Sequence, residues 1–429
     1  MSTKKQQGYV VEESYPRFFY PQMTPLWLTT VVNCLGFIAP RPQDQFAYLE
    51  LGCATGTNLL VCAATYPHAN FVGVDFNPSH IQAAQQAALA LGLSNVQFIH
   101  ADFAEFLAIN NQQFDFIVNH GTYSWIGKPQ QQQITHIVAT ALKPQGIFYL
   151  HYMCYPGSAD LSTIQKLCLM VDQAYTGSSV ESLNIAKNLC FDLQAAGAFV
   201  HHAQVDAALK TLQHSDAYLM HEFLTEHWQP LYSVDVHHAF YQQANLSYVG
   251  SADPCNNVET ISIPARLQSL IKTTKDPALK EYLKDIARHA KQRIDVFQRQ
   301  PQAYSSQQHL EQLQNIQFKI LPNIPHTALS VFHTPIGAIQ ADANLMQKIC
   351  AALAKRAYAF AELLQWPEFK GQPLFLLETL FLLMNAQYVH PYFQLSTDAM
   401  NPDHFETYFA AQGLHLKLVP ECGTAKPLS

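Results

Sequence analysis

The chain has 429 residues, of which 48% are hydrophobic and 13% charged, and its formal net charge is −7. This length is enough for two or three domains, each with its own core. A nucleic-acid-binding protein normally carries a basic face, so the net negative charge argues against a nucleic-acid partner. The nine cysteines include no Cys-x-x-Cys pair, which favours reduced thiols, and no metal site is predicted.

The sequence predicts no membrane anchor. Residues 1–7 lack the apolar stretch of a secretory signal. The longest apolar run, Leu374–Met384, contains Glu378 and is far shorter than the roughly 20 residues needed to cross a bilayer. We therefore expect a cytoplasmic protein, and export by a route that needs no signal stays open as an alternative.

Apolar strands alternate with helical segments between residues 47 and 152. The first predicted strand lies within residues 47–58, and the others are Phe71–Asp75, Val96–Asp102, Phe114–Asn119 and Ile147–Tyr152. The predicted helices between them are Thr57–Tyr66, Pro78–Leu91, Phe103–Ile109 and Gln130–Leu142. Parallel neighbouring strands need crossover connections, so this alternation predicts an α/β fold with a mostly parallel sheet flanked by helices.

A turn of small residues follows the first strand, with the spacing Gly52-x-Ala54-x-Gly56. Such a turn leaves backbone N–H groups free for a ligand, and its small residues allow the ligand to approach closely. The dinucleotide fingerprint G-x-G-x-x-G has a different spacing, which makes hydride transfer the weaker interpretation. Together with Glu50 before it, the turn favours a site for S-adenosylmethionine.

Polar side chains end four of the predicted strands: Glu50, Asp75, Asp102 and Asn119. In a parallel sheet these ends meet at the ligand-binding edge. Asp75 is expected to accept hydrogen bonds from ribose hydroxyls, Asp102 from the adenine amino group, and Glu50 to hold an amino group or a ribose hydroxyl. Taken singly, each acid could instead cap a helix or a turn. The predicted donor-binding residues are Glu50, Gly52, Cys53, Ala54, Gly56, Asn58, Asp75, Phe76, Asp102, Phe103 and Asn119.

Four segments resemble those of class I S-adenosylmethionine-dependent methyltransferases, and in particular of bacterial protein-lysine methyltransferases that carry a methyltransferase regulatory domain. The segments are Phe19–Pro25, Tyr48–Leu60, Asn119–Ile126 and Tyr152–Gly157. The resemblance is clear over residues 1–160 and fainter beyond them. It implies a Rossmann-like catalytic core, a lid over the donor from Tyr9 and Tyr20, a homodimer and a bacterial source.

The chain departs from the family pattern in two places. The family usually has Ser-Tyr-Asn before Pro-Gly-Trp, whereas this chain has His151-Tyr152-Met153 before Pro156-Gly157-Ser158. Its Phe-Arg pair is Phe297-Gln298 here. These differences concern the identity of the substrate and the rate of turnover.

Methyl transfer from a sulfonium is an in-line displacement, which mainly requires binding, alignment and exclusion of water. A lysine acceptor must be neutral, and lowering its pKa from about 10.4 to 7 corresponds to roughly 4 to 5 kcal/mol. Aromatic walls stabilise cations while leaving a channel for an aliphatic stem. The candidates are His120, Tyr123, Trp125 and Tyr152, although ordinary packing of the aromatics and simple hydrogen bonding of His120 are the structural alternatives.

After residue 157 the alternation stops. We expect a catalytic core over 1–157, a mainly helical middle domain over 158–325 and a third domain over 326–429. The predicted middle helices are Leu161–Ala174, Ser182–Ala196, Val205–Trp228 and Pro277–Arg299, with a short strand at Val258–Ile263. His221 and His227 are six residues apart, so a helix would turn them to different faces, which disfavours a zinc helix.

The last hundred residues predict a winged-helix-like module. Its helices are Asn344–Arg356, Ala357–Leu364 and Pro373–Met384, and Gln387–Phe393 is a candidate wing. The segment Leu374–Met384 has no Lys or Arg, which a nucleic-acid reader would need. We therefore predict a packing or substrate-docking role.

The predicted function is methyl transfer from S-adenosylmethionine to lysine side chains of protein substrates. The expected partner is a protein with accessible lysines. A small-molecule N- or O-methyltransferase and a non-enzymatic adaptor that retains the donor-binding fold are the alternatives.

Overall fold

The computed structural model describes residues 4–201, 203–324, 330–393 and 400–428. The predicted domain boundary between residues 325 and 326 lies outside the described residues. The first 153 residues contain a short hairpin followed by alternating helices and strands. In chain order they are β1 (Lys5–Gln6), β2 (Tyr9–Val10), α1 (Pro25–Cys34), β3 (Ala47–Leu51), α2 (Thr57–Thr65), β4 (Asn70–Asp75), α3 (Pro78–Ala90), β5 (Val96–His100), α4 (Phe103–Ile109), β6 (Phe114–Asn119), α5 (Lys128–Ala141) and β7 (Leu142–Met153).

The rest of the chain is richer in helices. The middle elements are α6 (Ala159–Ala174), α7 (Ser179–Ala195), α8 (Ala203–Ala208), α9 (Asp216–Phe223), α10 (Ser233–Ala244), β8 (Leu246–Ser251), α11 (Glu259–Ser262), α12 (Ala265–Thr273), α13 (Pro277–Arg288) and β9 (Gln292–Arg299). The last elements are α14 (Ser306–Asn315), β10 (Gln317–Ile320), β11 (Val331–Thr334), β12 (Gly337–Gln340), α15 (Ala343–Lys355), β13 (Tyr358–Ala359), α16 (Phe360–Leu364), α17 (Pro373–Asn385), β14 (Val389–Tyr392), α18 (Pro402–Ala411), β15 (Leu416–Val419) and β16 (Thr424–Pro427).

A seven-stranded sheet in the order β5-β4-β3-β6-β7-β9-β8 forms the centre of the fold. Strands β3 to β7 are parallel, and β9 runs antiparallel to both β7 and β8. Helices cover both faces, so Tyr48, Leu49 and Leu51 of the central strand β3 are fully buried. The predicted α/β, Rossmann-like fold is confirmed. The chain order reverses between β3 and β6, which places a ligand-binding crevice at their carboxyl ends.

The sheet extends beyond residue 157, because β8 and β9 complete its edge. The predicted helix Pro277–Arg299 is wrong in its second half. Helix α13 ends at Arg288, since His289 adopts a left-handed conformation with φ of 48°, and the following residues pair with β7. The segment 158–325 therefore contributes two strands to the central sheet, and the predicted domain boundaries stay predictions.

Two further sequence predictions fail in the middle segment. Val258–Ile263 is not a strand: Asp253 caps a 3₁₀ turn over Pro254–Asn257, and the chain continues into the short helix α11. The predicted helix Val205–Trp228 is broken, because His214 and Ser215 have extended backbone angles between a 3₁₀ turn and α9.

The C-terminal segment contains a three-stranded sheet, β13-β10-β14, and a separate hairpin, β11-β12. Within the predicted wing Gln387–Phe393, residues Val389–Tyr392 form strand β14, in which Val389 and His390 are fully buried. The winged-helix assignment stays a prediction. Across the described ranges, every helix is too short or too polar to cross a bilayer.

Substituting Gly56→Ala should destabilise the fold by about 2–4 kcal/mol, because two costs add. Gly56 has φ of 73°, and a Cβ there would lie 2.4 Å from a ring carbon of Phe98. Gly92→Ala is the matched control, since Gly92 has φ of 65° but a Cβ would meet no described heavy atom within 4 Å. Denaturant unfolding should show a clearly larger loss for Gly56→Ala. Equal losses would contradict this packing role.

Candidate functional site

A cavity lies at the carboxyl ends of the central strands, where the sequence predicts the ligand. Its volume, including the open mouth, is about 1160 Å³, which accommodates a nucleoside ligand. Eleven of the predicted site residues line it: Glu50, Gly52, Cys53, Ala54, Asn58, Asp75, Phe76, Asp102, Phe103, His120 and Trp125. The sheet therefore brings together residues that are up to 75 positions apart in the chain.

Asp75 organises the turn after β3. Its carboxylate accepts a hydrogen bond from the Ala54 N–H at 2.9 Å and another from the Asn77 N–H at 2.9 Å. Gly52 has φ of 74°, and a Cβ at this position would lie 2.5 Å from Thr122 Oγ1. Only glycine therefore allows this turn to lie close to Thr122 without a side chain that projects into the cavity.

Glu50 is a buried carboxyl, and its Oε2 has no hydrogen-bond partner among the described residues. Burial, with a smaller contribution from Asp75, raises the pKa of Glu50 to about 8. A cationic group in the cavity would favour the charged form and fill the vacant acceptor. The site thus fits a ligand with an amino group or a sulfonium.

The opposite end of the cavity contains Asp102 and Phe103. Asp102 caps α4 in a reciprocal capping box with Glu105, and its second carboxylate oxygen accepts from Gln7 Nε2 at 3.1 Å. Phe76 lies nearby at the end of β4. An acid with flanking aromatic rings fits a planar base that carries an amino group.

The N-terminal segment covers the cavity. Tyr9 and Tyr20, the predicted lid residues, both line it. The backbone of Tyr20 is fixed by two bonds to Asn58: its N–H donates to Oδ1 at 3.1 Å and its carbonyl accepts from Nδ2 at 2.8 Å. The Tyr20 ring stacks on His120 with 3.8 Å between centroids. The segment from Gln7 to Tyr20 thus forms one wall of the site.

His120 is held in a stack of rings. Its Nδ1 lies 2.7 Å from the Tyr149 hydroxyl, and its ring stacks on His151 with 4.2 Å between centroids. Burial and the neighbouring His151 lower the pKa of His120 well below its usual value, so the ring is neutral at pH 7. A neutral ring beside the cavity provides an aromatic surface and does not repel a cationic ligand.

Four predicted site residues do not line the cavity. Asn119 supports it, because its Nδ2 donates to the Leu51 carbonyl at 2.7 Å, and Gly56 packs against Phe98. Tyr123 packs on Phe240 inside the core. The Tyr152 hydroxyl donates to Asp295 Oδ2 at 2.6 Å. The aromatic-wall role expected for the two tyrosines does not fit these positions, because both rings fill the core on the other side of the strands.

Three residues that depart from the family pattern lie away from the cavity, whereas a fourth, His151, stacks on the cavity residue His120. Gln298 is buried and its Nε2 donates to the carbonyls of Ile38 and Gln145, both at 2.9 Å. The Ser158 hydroxyl donates to the Lys291 carbonyl, and the Met153 N–H donates to Ser124 Oγ at 2.9 Å. These three residues have structural partners, and none of them contacts the space for the donor.

Several cavity residues were not predicted from the sequence. Tyr15, Arg17, Phe18, His80 and Thr122 all line the cavity. The density of aromatic residues between Tyr9 and Tyr20 was a signal for a ring-lined wall. No local pattern identifies His80, which reaches Asp75 only through the packing of α3, with 3.5 Å between Nδ1 and Oδ1.

Comparison with known proteins agrees with this geometry. Residues 42–225 match the family model described as "Methyltransferase domain", and residues 215–299 match "Predicted methyltransferase regulatory domain". An uncharacterized protein of Synechocystis is 31% identical over 411 residues, covering 92% of this chain and 80% of its own length. An uncharacterized protein of Rickettsia prowazekii is 30% identical over 277 residues, covering 62% of this chain and 47% of its own length.

Among solved structures, PKMT2 from Rickettsia typhi in complex with AdoHcy has the same fold. The TM-score is 0.69 with 20% identity, and the superposition covers 96% of this chain and 86% of PKMT2. The chain belongs to the class I S-adenosylmethionine-dependent methyltransferases that carry a methyltransferase regulatory domain.

Because Glu50 is mostly protonated at pH 7 without a ligand, donor binding should release a proton. The affinity should rise as the pH increases from 6 to 8, since the ionised form is the one that pairs with the donor's cationic groups. Calorimetric titrations of S-adenosylmethionine in two buffers of different ionisation enthalpy would measure this release. The control is the Glu50→Gln variant, which should bind the donor more weakly and release fewer protons. The donor's own amino group titrates equally in the wild type and in the variant, so the difference in proton release reports on Glu50. Equal proton release by the two proteins would contradict the assignment.

Proposed function

We propose that this protein transfers methyl groups from S-adenosylmethionine to the ε-amino groups of lysines in protein substrates. The observation that carries the proposal is the composition of the cavity. It is lined by Glu50, a buried carboxyl whose Oε2 has no hydrogen-bond partner among the described residues, and by several aromatic rings. The shared fold with PKMT2, a protein lysine methyltransferase of Rickettsia, supports the choice of acceptor.

Three acidic residues of the cavity each suit one part of the donor. Glu50 pairs with the amino group of the methionine part, Asp75 accepts from the ribose hydroxyls, and Asp102 accepts from the adenine amino group. When bound, the donor supplies a methyl group activated by a positive sulfur. Asp75 also holds the turn through the Ala54 N–H, so it acts on both the loop and the ligand.

The acceptor side is formed by rings. Tyr20, His120 and Trp125 line the cavity, and Trp125 lies over His151 with 6.2 Å between centroids. Rings attract a cationic amine and pack against a methylene chain. A low-dielectric wall also favours the neutral amine, which is the form that attacks carbon. We expect the substrate to be a protein with accessible lysines, and the homodimer and the lack of a nucleic-acid partner stay predictions.

Incubating the protein with methyl-labelled S-adenosylmethionine and a bacterial lysate should label proteins, and mass spectrometry should locate the label on lysine. Gly52→Val is the matched inactive control, because its side chain fills the cradle beside Thr122. Label confined to small molecules would favour the small-molecule alternative. Donor binding without any transfer would favour the adaptor.

A further inference from the structure

Helix α9 presents two different faces. Leu219, Met220 and Phe223 are buried in the core formed with α6 and α7. Tyr218, His221 and Glu222 are spaced three or four residues apart and therefore share the other face. That face points towards the N-terminal segment, because the Tyr15 ring lies 6.5 Å from Tyr218 and 5.2 Å from His221 between centroids.

The chain around α9 is tied to both walls of the cavity. The Glu226 N–H donates to the Gly8 carbonyl at 2.9 Å, next to Tyr9. The Gln229 N–H donates to the Ser124 carbonyl at 2.9 Å, next to Trp125. These two bonds hold α9 between the lid and the loop after β6.

Glu222 therefore lies on the face of α9 that points towards Tyr15 of the N-terminal segment. Burial and, to a smaller extent, the charge of the Glu222 carboxylate raise the pKa values of Tyr9, Tyr15 and Tyr20, all of which line the cavity. Trp125 lies beside the carboxyl and favours its charged form, and Trp125 Nε1 has no hydrogen-bond partner within 3.5 Å among the described residues. The ion pairs of the described residues include none to Glu222.

The groups that interact with Glu222 are aromatic. They are the phenols of Tyr9, Tyr15, Tyr20 and Tyr218 and the indole of Trp125. The adjacent His221 is neutral at pH 7, because burial lowers its pKa to about 4. Burial also raises the pKa of Glu222 to about 8. An amine that enters between these rings would be the cation that this carboxyl lacks.

We propose that Glu222, contributed by the segment shared by the methyltransferase and regulatory matches, binds the acceptor lysine and removes its proton. The inference rests on the proposed function and adds a residue to it. The lysine ammonium loses one proton to the Glu222 carboxylate and becomes a neutral amine. The nitrogen lone pair then forms a bond to the methyl carbon while the carbon–sulfur bond breaks, and its electron pair stays on sulfur. The methylated ammonium leaves, and Glu222 returns its proton to water.

Glu222→Gln removes the proton acceptor while preserving the shape of the side chain. At saturating donor, its kcat on a lysine peptide from an identified substrate should fall by about 10²–10⁴-fold, with donor affinity and melting temperature close to those of the wild type. The wild-type kcat/KM should rise up to about pH 8 and then level off, whereas that of the variant, which depends on lysine already neutral in solution, should keep rising above pH 8. Glu226→Gln, at an exposed position on the same segment, is the matched control and should keep the wild-type rate.

Binding supplies a readout that does not depend on turnover. With AdoHcy present, the wild type should bind the lysine peptide at least tenfold more tightly than the same peptide with norleucine, and Glu222→Gln should lose this preference. The Glu222→Asp variant keeps a carboxyl, so it should retain the preference for the lysine peptide and part of the wild-type kcat. This variant provides the test if Glu222→Gln does not fold. A Gln variant with full rate and full preference would overturn this inference alone. A wild type that methylates no protein would overturn the proposed function itself.

Discussion

Burial of the Glu50 carboxyl at the end of β3 is the constraint on which the site depends. The central strand of the sheet is covered on both faces, so a carboxyl at its end is removed from water, and its Oε2 has no hydrogen-bond partner among the described residues. The ionised form then becomes costly until a cation enters. Asp75 fixes the neighbouring turn through backbone N–H groups. The fold thus places a buried carboxyl beside a rigid turn. An amino acid that carries a sulfonium suits both the charge and the shape of this site.

The remaining walls come from distant parts of the chain. The N-terminal residues supply tyrosines, and the loop after β6 supplies His120 and Trp125. Strands β8 and β9 extend the same sheet, so the regulatory segment is built into the catalytic fold. The two matched regions overlap at residues 215–225, which include α9.

The strongly periodic part of the chain could be predicted from sequence. Helix α4 has the predicted ends Phe103 and Ile109, because a capping box and an apolar stripe mark it locally. The strand at Gln292–Arg299 could not be separated from α13, because a single left-handed residue, His289, divides them. Eleven cavity residues followed from strand order. The burial of Tyr152 and the approach of Glu222 depend on tertiary packing, which one sequence does not encode locally.

The most direct test of the account is a crystal structure of the protein with AdoHcy. We expect the nucleoside in the cavity, with its amino group within hydrogen-bond distance of Glu50 and its ribose hydroxyls facing Asp75. AdoHcy bound elsewhere, or bound in the cavity with Glu50 still lacking a partner, would contradict it.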